Sequence, residues 1–358
     1  MGTIDSLLRK RLIICVGCGG VGKTTTAAAL ALAAARHARR AAVITVDPAR
    51  RLKDALGLDG LSTEPQRVVL DDGLHFDALA LDIKRTFDSL IGRFAPSAEV
   101  AHRIQANRLY QELSDGLAGS AEYMAMEKLH ELVHAHHYQT LIVDTPPSIH
   151  ARDLLAAPNR LTTLLGSRAV SLLQAPSSLL SGSSSRIARL GLSTLLKALE
   201  RWTGIELLHD LSDFVGAFEA MIEGFTTRAD EVNALLRAPA TAFVLVTTPE
   251  PHTIETTIAF HHELTGGGFP VAGIIANRVL AFPRYDDPAA LVAAWEEPLR
   301  GRLLANYAEL RELSRRDRRA LRRLHDETGA PLLAAVPAVT DAPTSLAGLQ
   351  RFALRLVP

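Results

Sequence analysis

Gly17-Cys18-Gly19-Gly20-Val21-Gly22-Lys23-Thr24-Thr25 is the stretch whose residue types and spacing could do chemistry most directly. Glycines let backbone N–H groups wrap closely around phosphates. A helix starting at the end of such a loop adds partial positive charge. Lys23 can then reach the β- and γ-phosphates, and the Thr24 hydroxyl can ligate Mg²⁺. The stretch reads as a phosphate loop, with Gly19, Gly20, Val21, Gly22, Lys23, Thr24 and Thr25 as the expected nucleotide contacts. Lysine is scarce elsewhere, occurring only at positions 10, 53, 84, 128 and 197. A chain that otherwise favours arginine, yet keeps a lysine inside a glycine loop, has a specific need there.

The same glycines, Gly17, Gly19 and Gly22, also satisfy G-x-G-x-x-G. Asp47 ends the second apolar run, roughly where a dinucleotide enzyme places its ribose acid. A nicotinamide-dependent oxidoreductase is therefore the distant alternative. Lys23-Thr24-Thr25 weighs against it, because a dinucleotide loop has no use for a lysine and hydroxyl aimed at a terminal phosphate. Leu141-Ile142-Val143 leads into Asp144-Thr145-Pro146-Pro147. A carboxylate at the end of a buried strand beside the loop strand can hold the water shell of Mg²⁺. The competing role for Asp144 is capping the next helix.

Other motifs are weighed against plainer roles. Cys15 and Cys18 form C-x-x-C, but one lies in a buried run and the other in the phosphate loop, so redox or metal chemistry is not expected. His130-Glu131-Leu132-Val133-His134 matches the zinc-protease spacing, yet no convincing third ligand follows. Residues 311–323 carry seven arginines, interrupted by Glu312 and Asp317, which reads as a solvated helix face. Residues 169–185 hold no charge and mix leucine with serine and glycine; a mobile apolar lid and an ordinary core helix with a loop are equally open.

The elements that must position these residues follow from the apolar runs. Segments 11–16, 41–46, 74–81, 140–143, 242–247, 271–276 and 332–336 read as buried strands. Residues 24–36 are rich in alanine, the best helix former, and helical sequence runs from about 97 to 137. Strand–helix–strand alternation predicts an α/β fold with a mostly parallel sheet covered by helices on both faces. Residues 1–158 form a first core part. Residues 159–237, with Phe214, Val215, Phe218, Met221, Ile222 and Phe225 at helical spacing, form a helical insertion. Residues 238–358 complete the core and carry a second insertion near 284–328.

The 358 residues contain 39 Lys+Arg and 39 Asp+Glu, so the net charge is zero. No field favours nucleic acid, and none is expected as a partner. Two cysteines exclude a disulfide scaffold and fit a reducing compartment. No apolar run approaches the roughly 18 residues of a membrane span. A cytoplasmic protein is expected, one that could sit peripherally at a membrane.

Four segments in order, GCGGVGKTT at 17–25, VDPARRLKDALGL at 46–58, VDTPPSIHARDLLAAPNRL at 143–161 and IIANRV at 274–279, resemble the ArsA family. Its members include the arsenical-pump ATPase, the tail-anchored-protein targeting ATPase and bacterial relatives, all deviant-Walker dimeric ATPases. The resemblance implies ATP and Mg²⁺ as cofactors. Lys23, Thr24 and Thr25 would bind phosphates and metal, Asp47 would orient the attacking water, and Asp144 would open switch II. Asn277 would read adenine, with Pro337 in the second base-contacting loop. Bottom-up, Asp47 could instead cap a helix or pair with Arg50 or Arg51. The family usually carries a lysine just after the first loop glycine, which reaches the partner's phosphates. Here that residue is Cys18. The implied partner is a second copy or a paralogous ATPase, coupled to a membrane anion transporter or to a hydrophobic client protein. The arsenite-binding cysteines and the zinc-binding pair of the relatives are both missing.

Overall fold

The computed structural model describes residues 4–46, 51–107, 110–111, 120–135, 137–145, 222–339 and 345–356. Its strands are β1 (Leu12–Val16), β2 (Ala41–Thr45), β3 (Gln66–Val69), β4 (His75–Ala80), β5 (Thr140–Asp144), β6 (Thr241–Thr247), β7 (Val271–Val279) and β8 (Leu332–Pro337). They form one sheet in the order β3-β4-β2-β5-β1-β6-β7-β8. Every neighbouring pair is parallel except β3 with β4. The expected mostly parallel α/β sheet is thus observed.

β1, β2, β5 and β6 are buried at every position. That is why their sequences are continuous apolar runs instead of alternating ones: both sheet faces are covered. β3 lies outside the expected strands. Only Val68 of its four residues is buried, so an edge strand this short leaves no pattern to read.

The described helices are α1 (Ile4–Leu8), α2 (Lys23–Arg36), α3 (Arg51–Leu56), α4 (Ile83–Phe94), α5 (Ala98–Ala106), α6 (Ser120–His134), α7 (Ile222–Arg237), α8 (Pro251–Gly266), α9 (Pro288–Leu291), α10 (Leu299–Thr328) and α11 (Leu346–Leu356). α2 is buried almost all round, as a central core helix must be. It packs on β2 and β5 and is covered in turn by α3 and α11. Leu349, Ala353 and Leu356 of α11 join Ile13, Cys15, Val43, Ile142 and Val244 in the same core. α4 begins earlier than the expected helical stretch. Asp82 caps it by accepting a hydrogen bond from the Arg85 amide at 2.9 Å.

α9 and α10 occupy the second insertion. α10 ends at Gly329, whose φ of 65° is the left-handed conformation that glycine adopts most cheaply. Among its 30 residues only Ser314, Asp317 and Leu324 are buried. Several of its arginines pair with acids: Arg315 and Arg319 with Glu312, and Arg323 with Glu327 and Glu255. This is a solvated charged face.

The chain packs as two units. The first comprises residues 1–81, 131–152 and 235–358 and contains the sheet. The second comprises 82–130 and 153–234. The described residues of the second unit are mostly helical and share a core of Phe87, Leu90, Ile91, Ile104, Tyr110 and Met124. The expected boundary at 158/159, the uncharged stretch 169–185 and most of the Phe214–Phe225 stretch lie outside the described residues. Among the described residues no helix is long and apolar enough to cross a membrane.

The topology locates the site. From β1 the chain passes through α2 to β2 on one side, while β6 flanks β1 on the other. Ligands in open α/β sheets bind at the carboxyl ends of strands where the connections diverge in this way. The carboxyl end of β1 is the start of the glycine loop.

Candidate functional site

The loop leaves β1 at Gly17. A Cβ there would lie 2.1 Å from the carbonyl oxygen of Val246 on the neighbouring β6, so only glycine fits. Gly19 and Gly20 are exposed, and Val21 is buried as the loop's apolar anchor. Gly22 closes the loop at φ 90° and forms the N-cap of α2. A Cβ at Gly22 would come within 2.8 Å of the Asn277 Nδ2. The loop is therefore pressed between β6 and β7 on its way into the helix.

Lys23 opens α2 and is 6% exposed. Its ammonium donates to the carbonyls of Gly17 at 3.0 Å and Cys18 at 2.8 Å, which places the charge inside the curl of the loop. Thr24 and Thr25 follow in the first helical turn and are half-buried. With the helix N-terminus behind them, they complete an anion-binding cradle.

Asp144 ends β5, the strand next to β1, and is fully buried. Parallel registers put Thr45, Asp144, Cys15 and Val244 in one row across β2, β5, β1 and β6. Side chains in one row share a face, and this face is the one α2 covers, because Cys15 and Val244 belong to its core. The Thr45 hydroxyl donates to Asp144 Oδ2 at 3.1 Å. Thr145, also buried, donates its hydroxyl to the Cys15 carbonyl at 2.8 Å and ties the end of β5 to β1. Burial pushes the Cys15 thiol far above its ordinary range, Asp144 pushes it the same way, and Lys23 opposes them. One thiol thus feels both the loop ammonium and the strand-end carboxylate.

Asn277 lies at the end of β7 and is 3% exposed. Its Nδ2 donates to the Val21 carbonyl at 2.9 Å and to the Thr26 hydroxyl at 3.1 Å. It clamps the loop and the first turn of α2 from the side. Arg278, the next residue, takes φ 55°. Pro337, at the end of β8, pairs with Val279, and the Ala338 amide donates to the Val279 carbonyl at 3.0 Å. Asn277 and Pro337 are thereby brought to the same edge as the phosphate loop. Asp47 lies outside the described residues; the chain leads to it through Val46, whose amide donates to the Asp144 carbonyl at 3.0 Å.

With this geometry in place, comparison with known families becomes informative. Residues 10–299 match the family of anion-transporting ATPases named ArsA. The chain belongs to the ArsA family. It is also similar to the ATPase get3 of Pyrenophora tritici-repentis, at 27% identity over 80% of this chain and 79% of the relative. The ATPase get3 of Aspergillus terreus is 26% identical over 76% and 74% of the two chains, and that of Phaeosphaeria nodorum 26% over 78% and 79%. This ArsA-family chain is a P-loop enzyme of the ATP-hydrolysing type, and its fold implies the capacity to bind ATP with magnesium.

The remaining motifs of the ArsA-family chain take structural roles. His130 is buried and His134 is exposed. His130 Nδ1 lies 2.8 Å from an Arg228 Nη1 and its Nε2 3.3 Å from the Glu231 carboxylate. Arg228 also pairs with buried Glu127 at 3.2 Å, and Arg93 approaches the same carboxylate at 3.5 Å. The H-E-x-x-H spacing thus serves an ion-pair network, and no group of three metal-ligating side chains occurs among the described residues. Cys15 and Cys18 are buried free thiols. Thr45, Thr145 and the clamping role of Asn277 escape sequence reasoning. A strand threonine has no local signature, and only the strand registers reveal what it faces.

Proposed function

We propose that this chain is an ATP-driven switch in which Lys23 and the loop amides hold the phosphates, and Thr24 and Asp144 hold Mg²⁺. The observation that carries the reading is the Lys23 ammonium held inside the glycine loop at the carboxyl end of β1, with buried Asp144 beside Cys15 at the end of the neighbouring strand β5. The residues fit the group. Gly17 has no room for a side chain, the helix N-terminus faces the loop, and a buried carboxylate stands one strand away. Magnesium, when bound, neutralises charge on the phosphates.

The chain's own groups then divide the work. Lys23 stabilises charge developing on the γ-phosphoryl, and the glycine amides hold the chain of phosphates in line. Asp47, by the resemblance, orients the water that attacks. Asn277 and Pro337 flank the base. Lys23→Ala is the direct test. Mg²⁺-dependent ATP hydrolysis should fall about a hundredfold or more, the usual cost of deleting a transition-state charge partner. Normal turnover by that variant would overturn the site assignment.

For the coupled process, client binding is favoured over an anion transporter. The three relatives described above bear the GET3 name, although the family model is that of anion-transporting ATPases. The 169–200 segment is the proposed client surface, working in a dimer. Apolar-dye binding that differs between the ADP and ATP states supports this coupling. Binding that stays the same in both supports a transporter partner.

A further inference from the structure

We propose that Thr45 is a positioning residue for the carboxylate of Asp144. The proposal rests on the reading of Asp144 as the metal-side acid. Thr45 stands at the last position of β2, directly beside Asp144 in the parallel ladder. It is 3% exposed, and its hydroxyl donates to Asp144 Oδ2 at 3.1 Å.

Two features make this more than a strand hydroxyl finding a partner. First, apart from Asp144 and Cys15 the face it sits on is aliphatic: Val43, Ile142, Val244 and Val246 lie there, and a valine would serve the packing of β2 equally well. Second, a β-branched residue in a buried strand has a stiff χ1, so the direction of the hydroxyl is set by the backbone. Fixing one carboxylate oxygen fixes the direction of the other. Thr45 therefore supplies orientation to an acid that must face a metal's water shell. Groups that hold a metal-side acid in this way typically change metal affinity by about 10–100-fold when removed.

The experiment compares Thr45→Val, Thr45→Ser and Asp144→Asn with the full-length native chain. Calorimetric titration measures the affinity for a non-hydrolysable ATP analogue without metal, and then Mg²⁺ binding to the analogue complex. Thermal melting without ligands runs alongside. Thr45→Val is expected to leave metal-free nucleotide affinity within about twofold and to weaken Mg²⁺ binding by about tenfold or more. Thr45→Ser, which keeps the hydroxyl, should restore Mg²⁺ binding to near the native level. If Thr45→Val binds Mg²⁺ like the native chain while Asp144→Asn does not, the positioning role is overturned and the metal role of Asp144 stands. If Asp144→Asn also binds Mg²⁺ normally, the reading of Asp144 fails and the positioning role falls with it. If Thr45→Val and Thr45→Ser both lose thermal stability and metal-free nucleotide binding together, Thr45 is a packing residue and the proposal is overturned.

Discussion

Asn277 commits only the NH₂ half of its carboxamide to the loop. The NH₂ half is committed to the Val21 carbonyl and the Thr26 hydroxyl, so the side chain cannot flip without losing both. The buried Oδ1 has no hydrogen-bond partner among the described residues. An orphaned buried acceptor costs about 1–3 kcal/mol and calls for an explanation. A donor arriving with a ligand is one, and the exocyclic amino group of adenine is such a donor, where guanine presents an acceptor. Asn277→Ala should therefore do two separable things. It leaves the Val21 carbonyl unpaired, lowering stability by about 1–3 kcal/mol in denaturant titration. It also narrows the preference for ATP over GTP in a competition assay. An unchanged ATP/GTP ratio would leave Asn277 as a loop clamp only. Gly22→Ala attacks the same point from the other side. The new Cβ meets Nδ2 in a backbone conformation that alanine resists, so nucleotide affinity should fall with Asn277 still present.

At the scale of elements, one buried acid ties α10, which also packs on α8, to the site edge. Asp317 is 4% exposed, and its Oδ2 accepts a hydrogen bond from the Leu280 amide at 2.9 Å, just past the end of β7. The residues it steadies are the continuation of the strand that carries Asn277. Asp317→Ala takes the acceptor from the half-buried Leu280 amide and should lower stability by about 1 kcal/mol. Arg315→Ala and Arg319→Ala, on the exposed face, should leave the denaturation midpoint within measurement error. Comparable losses from all three would mean that the surface ion pairs, and not the buried anchor, hold α10. In the sequence Asp317 looks like a mere interruption of a basic run. Seven of the eight strands were legible because buried parallel strands are apolar runs, and the loop because its chemistry demands glycines and Lys23. Asp144 was legible as a strand end, whereas Asn277 and Pro337 were picked out by the family resemblance alone. β3 was not, since one buried residue makes no pattern. Thr45 was not either, because its partner is 99 residues away and only the ladder brings them together.

For the whole molecule the question is where the second positive charge comes from. Lys23 is the only cation between residues 17 and 25, and Cys18, at the position of the family's partner-reaching lysine, is 9% exposed and packed into the α2 core. A thiol there supplies no charge to anyone's phosphates. Phosphoryl transfer gains large factors from a cation added late and from outside. The native chain alone should therefore turn over slowly, and a lysine at position 18 should act on a partner's nucleotide, not its own. A double variant, Cys18→Lys with Lys23→Ala, separates the two. It cannot hydrolyse its own ATP, so any activity in a mixture belongs to the native copies. Mixing it in excess with native protein should raise turnover per native chain by about tenfold or more, on the scale of one added transition-state charge. The rise should vanish on dilution to concentrations at which two copies no longer associate. If the mixture is no faster than the native protein alone, two copies do not exchange charge across this loop, and the activating group must come from a different chain.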